Sequence, residues 1–190
     1  MRTFLYKLLY PIFRPPQFNS GFMSSLFNGS IKSSFRITTL LYSGHLHGWN
    51  YKDFHDRCDS KGRTVSLFQI EQGDCIGGYT SQHWESGYGK RKADSSAFLF
   101  NLTRSRHFPS KASGNDIYCS SNYGPCFWGD GGAELGADDQ PFNGKDKCYS
   151  KANKPAYNIP LVDGMNQLIN QANGGFSISE LEVWLLVDEK

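Results

Sequence analysis

Histidine and cysteine are the residue types in this sequence best suited to bind a metal or carry out nucleophilic chemistry. His45 and His47 are followed closely by His55 and Cys58, and His83 comes later. Two histidines at i and i+2 on a strand would share one face, but no further ligand follows at a diagnostic spacing. The five cysteines include no Cys-x-x-Cys pair, so neither a zinc ribbon nor a thioredoxin-type site is indicated. We therefore expect polar loop histidines and predict no metal and no cofactor.

A nucleophilic cysteine needs an exposed thiolate and an imidazole within hydrogen-bonding distance. His55 and Cys58 lie at i and i+3 of a predicted helix, but Cys58 occupies a position that should face the core. Cys119 and Cys126 bracket a loop and are the candidate redox-sensing thiols. The competing interpretation is that the cysteines are buried, reduced thiols of an intracellular protein. We predict no catalytic residue.

The glycine-rich segment at residues 129–136 (GDGGAELG) could suggest a phosphate-binding loop. It does not fit the dinucleotide pattern, because Glu134 stands where the last glycine should be, and it lacks the Lys-Ser/Thr pair of a P-loop. Gly131 and Gly132 are instead expected to let two sheets or a loop approach closely. Glu134 is then expected to be a surface or interface carboxylate.

The beginning of the chain is basic: the first 52 residues contain six Lys or Arg residues and no acidic residue. The apolar run within residues 1–16 is shorter than the roughly 20 residues that span a bilayer. Three interpretations of this segment compete: a mitochondrial targeting segment, an interfacial membrane anchor or an arm that packs on a partner protein. The candidate interaction residues of this arm are Arg2, Phe4, Leu5, Lys7, Leu8, Leu9, Ile12, Phe13 and Arg14.

The composition favours a β-rich domain, because aromatic residues make up 15% of the chain and 20 glycines accompany only 8 prolines. A net charge of +2 gives no indication of a nucleic-acid-binding protein. Gly77 and Gly78, within the second strand of a predicted hairpin, indicate a bulge or a close backbone approach. Strands are predicted at residues 37–42, 65–70, 75–80, 97–102, 116–119, 125–128, 133–135 and 176–187. Helices are predicted at residues 51–58, with Asn50 and Asp53 as its capping pair, and 161–172, whereas residues 138–159 are expected to be largely irregular.

Four segments, in this order along the chain, resemble the TLDc domain family. They are residues 40–69 (LLYSGHLHGWNYKDFHDRCDSKGRTVSLFQ), 76–84 (IGGYTSQHW), 97–102 (AFLFNL) and 176–186 (FSISELEVWLL), and residues 127–136 (FWGDGGAELG) are a weaker fifth match. The order and spacing of these segments carry the resemblance. The candidate structural residues in them are Gly77, Gly78, Phe98, Phe100, Gly131, Gly132, Glu134 and Trp184.

The resemblance implies a β-rich (α+β) fold for residues 35–190, a two-sheet antiparallel β-sandwich with short flanking helices. Residues 1–34 would precede it as a basic arm and linker. The family implies protein interaction without a cofactor or an established catalytic centre; several members protect against oxidative stress, and some regulate the proton-pumping vacuolar ATPase.

We therefore predict a non-catalytic interaction module, an accessory or structural subunit of a larger protein assembly that is mitochondrial or associated with a proton-pumping ATPase. The alternative is an oxidative-stress-protective or thiol redox-sensing protein. An intracellular location is expected, with mitochondria favoured and the cytosol as the alternative, and with membrane proximity through the arm and no nucleic-acid partner.

Overall fold

The computed structural model describes residues 35–71, 73–138, 141–152 and 156–188. The predicted arm and linker, residues 1–34, lie outside these ranges. The described helices are α1 (Gly44–His47) and α2 (Tyr51–Cys58). The described strands are β1 (Phe35–Ser43), β2 (Thr64–Ile70), β3 (Cys75–Thr80), β4 (Lys90–Lys92), β5 (Phe98–Asn101), β6 (Arg106–Pro109), β7 (Ile117–Cys119), β8 (Tyr123–Gly129), β9 (Gly132–Asp138), β10 (Cys148–Ser150), β11 (Leu161–Val162), β12 (Met165–Asn166), β13 (Gln171–Ala172), β14 (Gly174–Phe176) and β15 (Ile178–Asp188).

Two six-stranded sheets form the sandwich that the sequence predicts. The first sheet has the order β1-β15-β2-β3-β5-β6, and the second has the order β14-β10-β9-β8-β7-β4. Neighbouring strands in both sheets are antiparallel. A separate three-stranded sheet contains β11, β12 and β13.

The main hydrophobic core lies between the two sheets and is rich in aromatic side chains. The ring of Phe127 from β8 meets Trp84 edge to face, with ring centroids 5.8 Å apart. Trp84 in turn meets Phe54 of α2 at 5.8 Å, which ties the helix to the same core. Such pairs add to the energy of burial because the positive edge of one ring faces the negative face of another.

Gly77 and Gly78 allow close approach on opposite faces of β3, while the pairing of β2 with β3 runs without a bulge. A Cβ atom at Gly78 would lie 2.5 Å from Cε2 of Phe127, across the sandwich. A Cβ atom at Gly77 would lie 2.6 Å from Cζ of Phe100, on the outer side of the sheet. Of the two predicted alternatives, close approach is therefore the one found.

The prediction for helix α2 is confirmed. The backbone N–H of Asn50 donates to the carboxylate of Asp53 at 3.2 Å, one half of a capping box. Phe54 and Cys58 are fully buried, and Tyr51 packs against the core from a half-buried position. The preceding residues 44–47, predicted as a loop, form the single helical turn α1.

The last strand is buried on both faces. Leu181 and Val183 point into the core between the sheets, whereas Trp184 and Leu186 belong to a second apolar cluster on the outer face of the first sheet. Leu185 is only half-buried. The predicted strand at 176–187 is also divided at Ser177 into β14 and β15, which belong to different sheets.

The predicted helix at residues 161–172 is wrong, because this segment forms β11, β12 and β13. Asp163 and Gly164 both have positive φ angles, 50° and 76°, and join Val162 to its partner Met165. This is the two-residue hairpin turn that an Asp-Gly pair favours. Strand β10 likewise lies within the segment predicted to be irregular. Strands β4 and β6 were not predicted.

Candidate interaction surface

The outer face of the second sheet carries a row of aromatic and basic side chains. Ile117 and Cys119 of β7 point into the core, so the intervening Tyr118 points outwards. Arg91 on the neighbouring strand β4 lies directly opposite Tyr118 in the register. Trp128 and Tyr123 of β8 reach the same face as half-buried side chains.

The three rings and the guanidinium form a continuous row of contacts from Tyr123 through Tyr118 and Trp128 to Arg91. The centroids of Tyr118 and Trp128 are 4.7 Å apart with a tilt of 33°, and Tyr123 meets Tyr118 edge to face at 5.3 Å. Cζ of Arg91 lies 5.7 Å from the centre of the Trp128 ring, within the range of a cation–π interaction. The contacts hold these side chains in place, so a partner would meet a preorganised surface.

A second aromatic–cation pair extends this face across the sheet. Tyr149 of β10 is half-buried, and Nζ of Lys151 lies 6.0 Å from the centre of its ring. Gly136 of β9 pairs with Tyr149 in the register. We refer to this set as the aromatic–cationic face: Arg91, Tyr118, Tyr123, Trp128, Tyr149 and Lys151.

Strand β4 adds positive charge at the edge of the second sheet. Glu85 accepts from Lys92 at 3.0 Å and Lys90 at 3.1 Å, and the hydrogen bond from Lys92, followed by that from Lys90, lowers the pKa of Glu85 to about 2. Arg91 lies between these two lysines and has no carboxylate partner within the described ranges. Its guanidinium therefore remains exposed and available to an acidic group.

The candidate redox residues Cys119 and Cys126 are buried rather than exposed. Burial raises the pKa of both thiols, that of Cys126 well above its ordinary value. Cys58, Cys75 and Cys148 are also free, buried thiols, and burial raises the pKa of each. A reactive cysteine needs the opposite environment, an accessible thiolate stabilised by positive charge.

Glu134 is buried, so the expectation of a surface or interface carboxylate is wrong. One carboxylate oxygen accepts from the backbone N–H of Ala156, and the other accepts from that of Tyr157 at 3.2 Å. Burial raises the pKa of Glu134 to about 7, although the two backbone hydrogen bonds oppose this. The carboxylate thus joins β9 to the segment that carries Tyr157.

The glycines near Glu134 differ in whether they allow the predicted close approach. Gly131 is exposed in the hairpin turn, and Gly132 has a φ angle of 119° with nothing within 4 Å of a Cβ position. Gly132 therefore serves the turn and not a close approach. At Gly129 a Cβ atom would collide with the Glu134 carboxylate and lie 2.9 Å from the backbone nitrogen of Ala156. Close approach is thus the role of Gly129, at the start of the same segment.

The histidines take separate structural positions. His45 Nδ1 lies 3.0 Å from Oε2 of the buried Glu180, and His47 Nδ1 accepts from the backbone N–H of Ser43 at 3.0 Å. His55 is buried on α2 between Asp59 and the carbonyl of Ser120, not in a loop. In the part of the chain that the structure describes, no group of three or more His, Cys, Asp or Glu side chains is arranged to hold a metal.

The remaining predicted residues fall into two groups. Phe98, Phe100 and Trp184 lie in the apolar cluster on the outer face of the first sheet. The nine candidate residues of the arm lie outside the described residues. No helix within the described ranges is long and apolar enough to cross a membrane.

The aromatic–cationic face was missed in the sequence. Its one local signal is the position of Tyr118 between two inward-facing residues of a strand. The contact between Arg91 and Trp128 joins strands that are distant in the chain, so no spacing in the sequence predicts it.

Comparison with known proteins supports the resemblance noted in the sequence. No curated protein matches the chain. The family model described as the TLDc domain matches residues 20–187, beginning within the predicted linker and covering most of the chain. This match and the two-sheet antiparallel fold show that the chain belongs to the TLDc domain family.

Proposed function

We propose that this chain is a non-catalytic protein-interaction module that binds a partner protein through the aromatic–cationic face. The observation that carries the proposal is the position of Arg91, which lies over the Trp128 ring and opposite Tyr118 in the register, while Trp128 and Tyr118 pack on each other. Trp, Tyr and Arg are the residue types that contribute most binding energy in protein interfaces. Membership of the TLDc family supports an interaction role at the same coarse level.

The charge of this face favours a partner surface that presents carboxylates. Arg91 and Lys151 are exposed, and each lies near an aromatic ring that limits its motion. A guanidinium binds a carboxylate through two parallel hydrogen bonds, which gives directional recognition as well as attraction. Half-buried rings beside it would exclude water from such a pair and strengthen it.

In the finer form of the proposal, the chain is an accessory subunit of a larger assembly, with mitochondria as the expected location. The arm at residues 1–16 would supply a second contact, with the assembly or with a membrane surface. Its apolar residues and absence of acidic residues support that role.

The test is quantitative affinity purification of the tagged full-length protein from its native cells, followed by mass spectrometry. Trp128→Ala and Arg91→Glu are compared with wild type, and Leu161→Ala is the control, an exposed apolar residue on the separate three-stranded sheet. We expect stoichiometric partners with wild type and control, and a loss of about tenfold or more with both face variants. Circular dichroism verifies that the variants are folded.

Two results would count against the proposal. Recovery of the wild-type protein as a lone monomer would remove the assembly role. Equal partner recovery with wild type, Trp128→Ala and Arg91→Glu would remove this face as the docking surface.

The alternative of thiol redox sensing has less support, because the five thiols are buried and burial raises the pKa of each. Thiol reactivity measured against pH separates the two functions. A cysteine of the folded protein that reacts rapidly below pH 7 would favour redox sensing over the interaction role.

A further inference from the structure

A cavity of about 320 Å³ lies where three connections of the chain meet at one end of the first sheet. These connections join β2 to β3, β5 to β6 and β12 to β13. The cavity is lined by Gly73, Asp74, Arg104, Ile169, Asn170 and Gln171, none of which belongs to the aromatic–cationic face. Its volume is at the small end of the range of roughly 300–1,000 Å³ found for ligand-binding pockets, and most of its lining side chains are polar.

Asn101, the last residue of β5, ties the three walls of this cavity together. It is fully buried, and its Nδ2 donates to Oδ2 of Asp74 at 2.8 Å and to the carbonyl oxygen of Leu168 at 2.7 Å. Its Oδ1 accepts from the backbone N–H of Arg104 at 2.9 Å. One buried carboxamide thus uses its donors and its acceptor on three different connections of the chain. The walls are therefore fixed relative to one another before any ligand arrives.

Arg104 is held at two points, by its backbone and by its side chain. Its backbone N–H is fixed by Asn101, and its Nε donates to Oδ2 of Asp74 at 2.5 Å. The side chain of Asp74 is only 9% exposed, whereas that of Arg104 is 41% exposed, so a buried anchor holds an accessible guanidinium. Within the described ranges, the terminal Nη1 and Nη2 groups of Arg104 make no hydrogen bond. Their N–H donors remain for a ligand, in a side chain that is already positioned.

Two carboxamide side chains share the lining of the cavity with Arg104. Asn170 ends the connection between β12 and β13 with a φ angle of 54°, a conformation that asparagine adopts more readily than most residues. Gln171 follows as the exposed first residue of β13. Neither carboxamide makes a hydrogen bond to another residue in the part of the chain that the structure describes. Both can therefore donate to a ligand in the cavity.

We propose that this cavity binds a carboxylate group through the Nη atoms of Arg104 and the side-chain amides of Asn170 and Gln171. A guanidinium matches the two oxygens of a carboxylate with parallel N–H donors. Asp74 is the one carboxylate among the lining residues, and its charge is balanced by Arg104. Arg106 adds a positive charge nearby, where its Nη1 donates to the carbonyl of Gln167 at 3.2 Å. This balance favours a singly charged group, because Asp74 would repel a phosphate dianion more strongly.

The test is an NMR titration of the full-length protein with N-acetylglycine at constant ionic strength, followed through the backbone amide signals. N-acetylglycinamide has the same size without the carboxylate and is the matched ligand control. Arg104→Gln removes the guanidinium, and Gln171→Ala removes one carboxamide without altering the contact between Asp74 and Asn101. Arg91→Gln makes the same substitution on the aromatic–cationic face and is the matched control variant. Each variant must retain the dispersed amide spectrum of the folded protein.

We expect saturable shifts of the amide signals of Gly73, Arg104, Asn170 and Gln171, with equal affinity in wild type and Arg91→Gln. Arg104→Gln should weaken binding by about tenfold or more, because it removes charge-assisted hydrogen bonds. Gln171→Ala should weaken it by about threefold or more, the effect of one hydrogen bond. A blocked alanine peptide with one central glutamate identifies the source of the carboxylate. Binding of this peptide would indicate an acidic side chain of another protein, and binding of N-acetylglycine alone would indicate a small free acid.

Three outcomes would overturn the proposal. The first is equal binding of N-acetylglycine and N-acetylglycinamide, which would mean that the carboxylate is not recognised. The second is wild-type affinity in Arg104→Gln or, should that variant not fold, in Gln171→Ala, whose exposed side chain the fold does not need. The third is tighter binding of inorganic phosphate than of N-acetylglycine at the same ionic strength, which would assign the cavity to a different class of anion.

Discussion

The strongest single prediction concerns Gly78 of β3, which faces the ring of Phe127 across the sandwich. In Gly78→Ala, the new Cβ atom would lie 2.5 Å from Cε2 of Phe127 and 2.7 Å from Cδ2 of Leu99. Ordinary carbon–carbon contacts are about 3.5–4.0 Å, so the ring must move by roughly 1 Å. Trp84 and Tyr157 pack against the same ring, with centroids 5.8 and 6.2 Å away, and leave it little room to move.

The magnitude follows from two opposing effects. Overpacking a close-packed core costs about 1–3 kcal/mol, and replacing glycine within a strand by alanine returns about 0.5–1 kcal/mol of backbone entropy. We therefore expect Gly78→Ala to lower the free energy of unfolding by about 1–2 kcal/mol. For a domain of this size, that corresponds to a decrease in Tm of roughly 2–8 °C.

The assay is urea denaturation of the full-length protein, arranged as a double-mutant cycle with Phe127→Leu. The smaller leucine removes the ring edge that the new methyl group strikes, so the double variant should be more stable than the sum predicts by about 1 kcal/mol. Gly87→Ala is the control, because a Cβ atom there would meet nothing within 4 Å. Its effect should stay within about 0.5 kcal/mol.

The reasoning fails if Gly78→Ala is as stable as Gly87→Ala, or if the two substitutions at positions 78 and 127 are simply additive. Either result would mean that the core accommodates a methyl group at this position without displacing the ring.

Three further predictions concern buried or capping carboxylates. Because the pKa of Glu134 is raised from 4.5 to about 7, the protonated carboxyl stabilises the folded state. Its contribution to the free energy of unfolding, about 3 kcal/mol at most, is complete below pH 4.5 and is lost as pH rises through about 7. Urea denaturation at pH 5 and pH 8 should show a smaller difference between the two pH values in Glu134→Gln than in wild type. Asp94 accepts from the hydroxyls of Thr80, Ser81 and Ser96, so Asp94→Asn should lower the free energy of unfolding by about 2 kcal/mol or more, and a loss below 0.5 kcal/mol would contradict this. Asp53→Ala removes the acceptor for the Asn50 backbone N–H and should cost about 1 kcal/mol, measured by thermal unfolding against the exposed control Asp56→Ala.

Elements set by neighbouring residues could be predicted from the sequence. The hairpin of β2 and β3 follows from two β-rich runs around a polar turn, and α2 follows from its capping pair and inward-facing Phe54 and Cys58. The same local logic would have found the β11–β12 hairpin, because Asp163-Gly164 is a strong turn signal. The apolar side chains around that pair also fit a helical spacing, and this led to the wrong prediction for residues 161–172.

Burial of individual polar residues could not be predicted in the same way. Glu134 reads as a surface residue because charged side chains are mostly exposed, and its acceptance of two backbone N–H groups depends on a segment more than 20 residues later in the chain. Cys119 and Cys126 stand around a loop in the sequence, yet the strands that carry them are covered on the sides where the thiols lie. The position of these cysteines next to a loop in the sequence therefore gave a misleading indication that their thiols are exposed.

The sequence by itself determined the family, the β-rich sandwich and the hairpin of β2 and β3, because these depend on alternation, turn residues and the order of short motifs. Only the tertiary structure decided that Arg91 lies over Trp128, that Glu134 is enclosed and that the first sheet has a second apolar face. The physical reason is that alternation specifies which side of a strand a residue occupies, but not which strand lies beside it or what covers that side. The neighbouring strands and covering segments are fixed only when distant parts of the chain pack together. They determine which side chains contact water, a partner or the core.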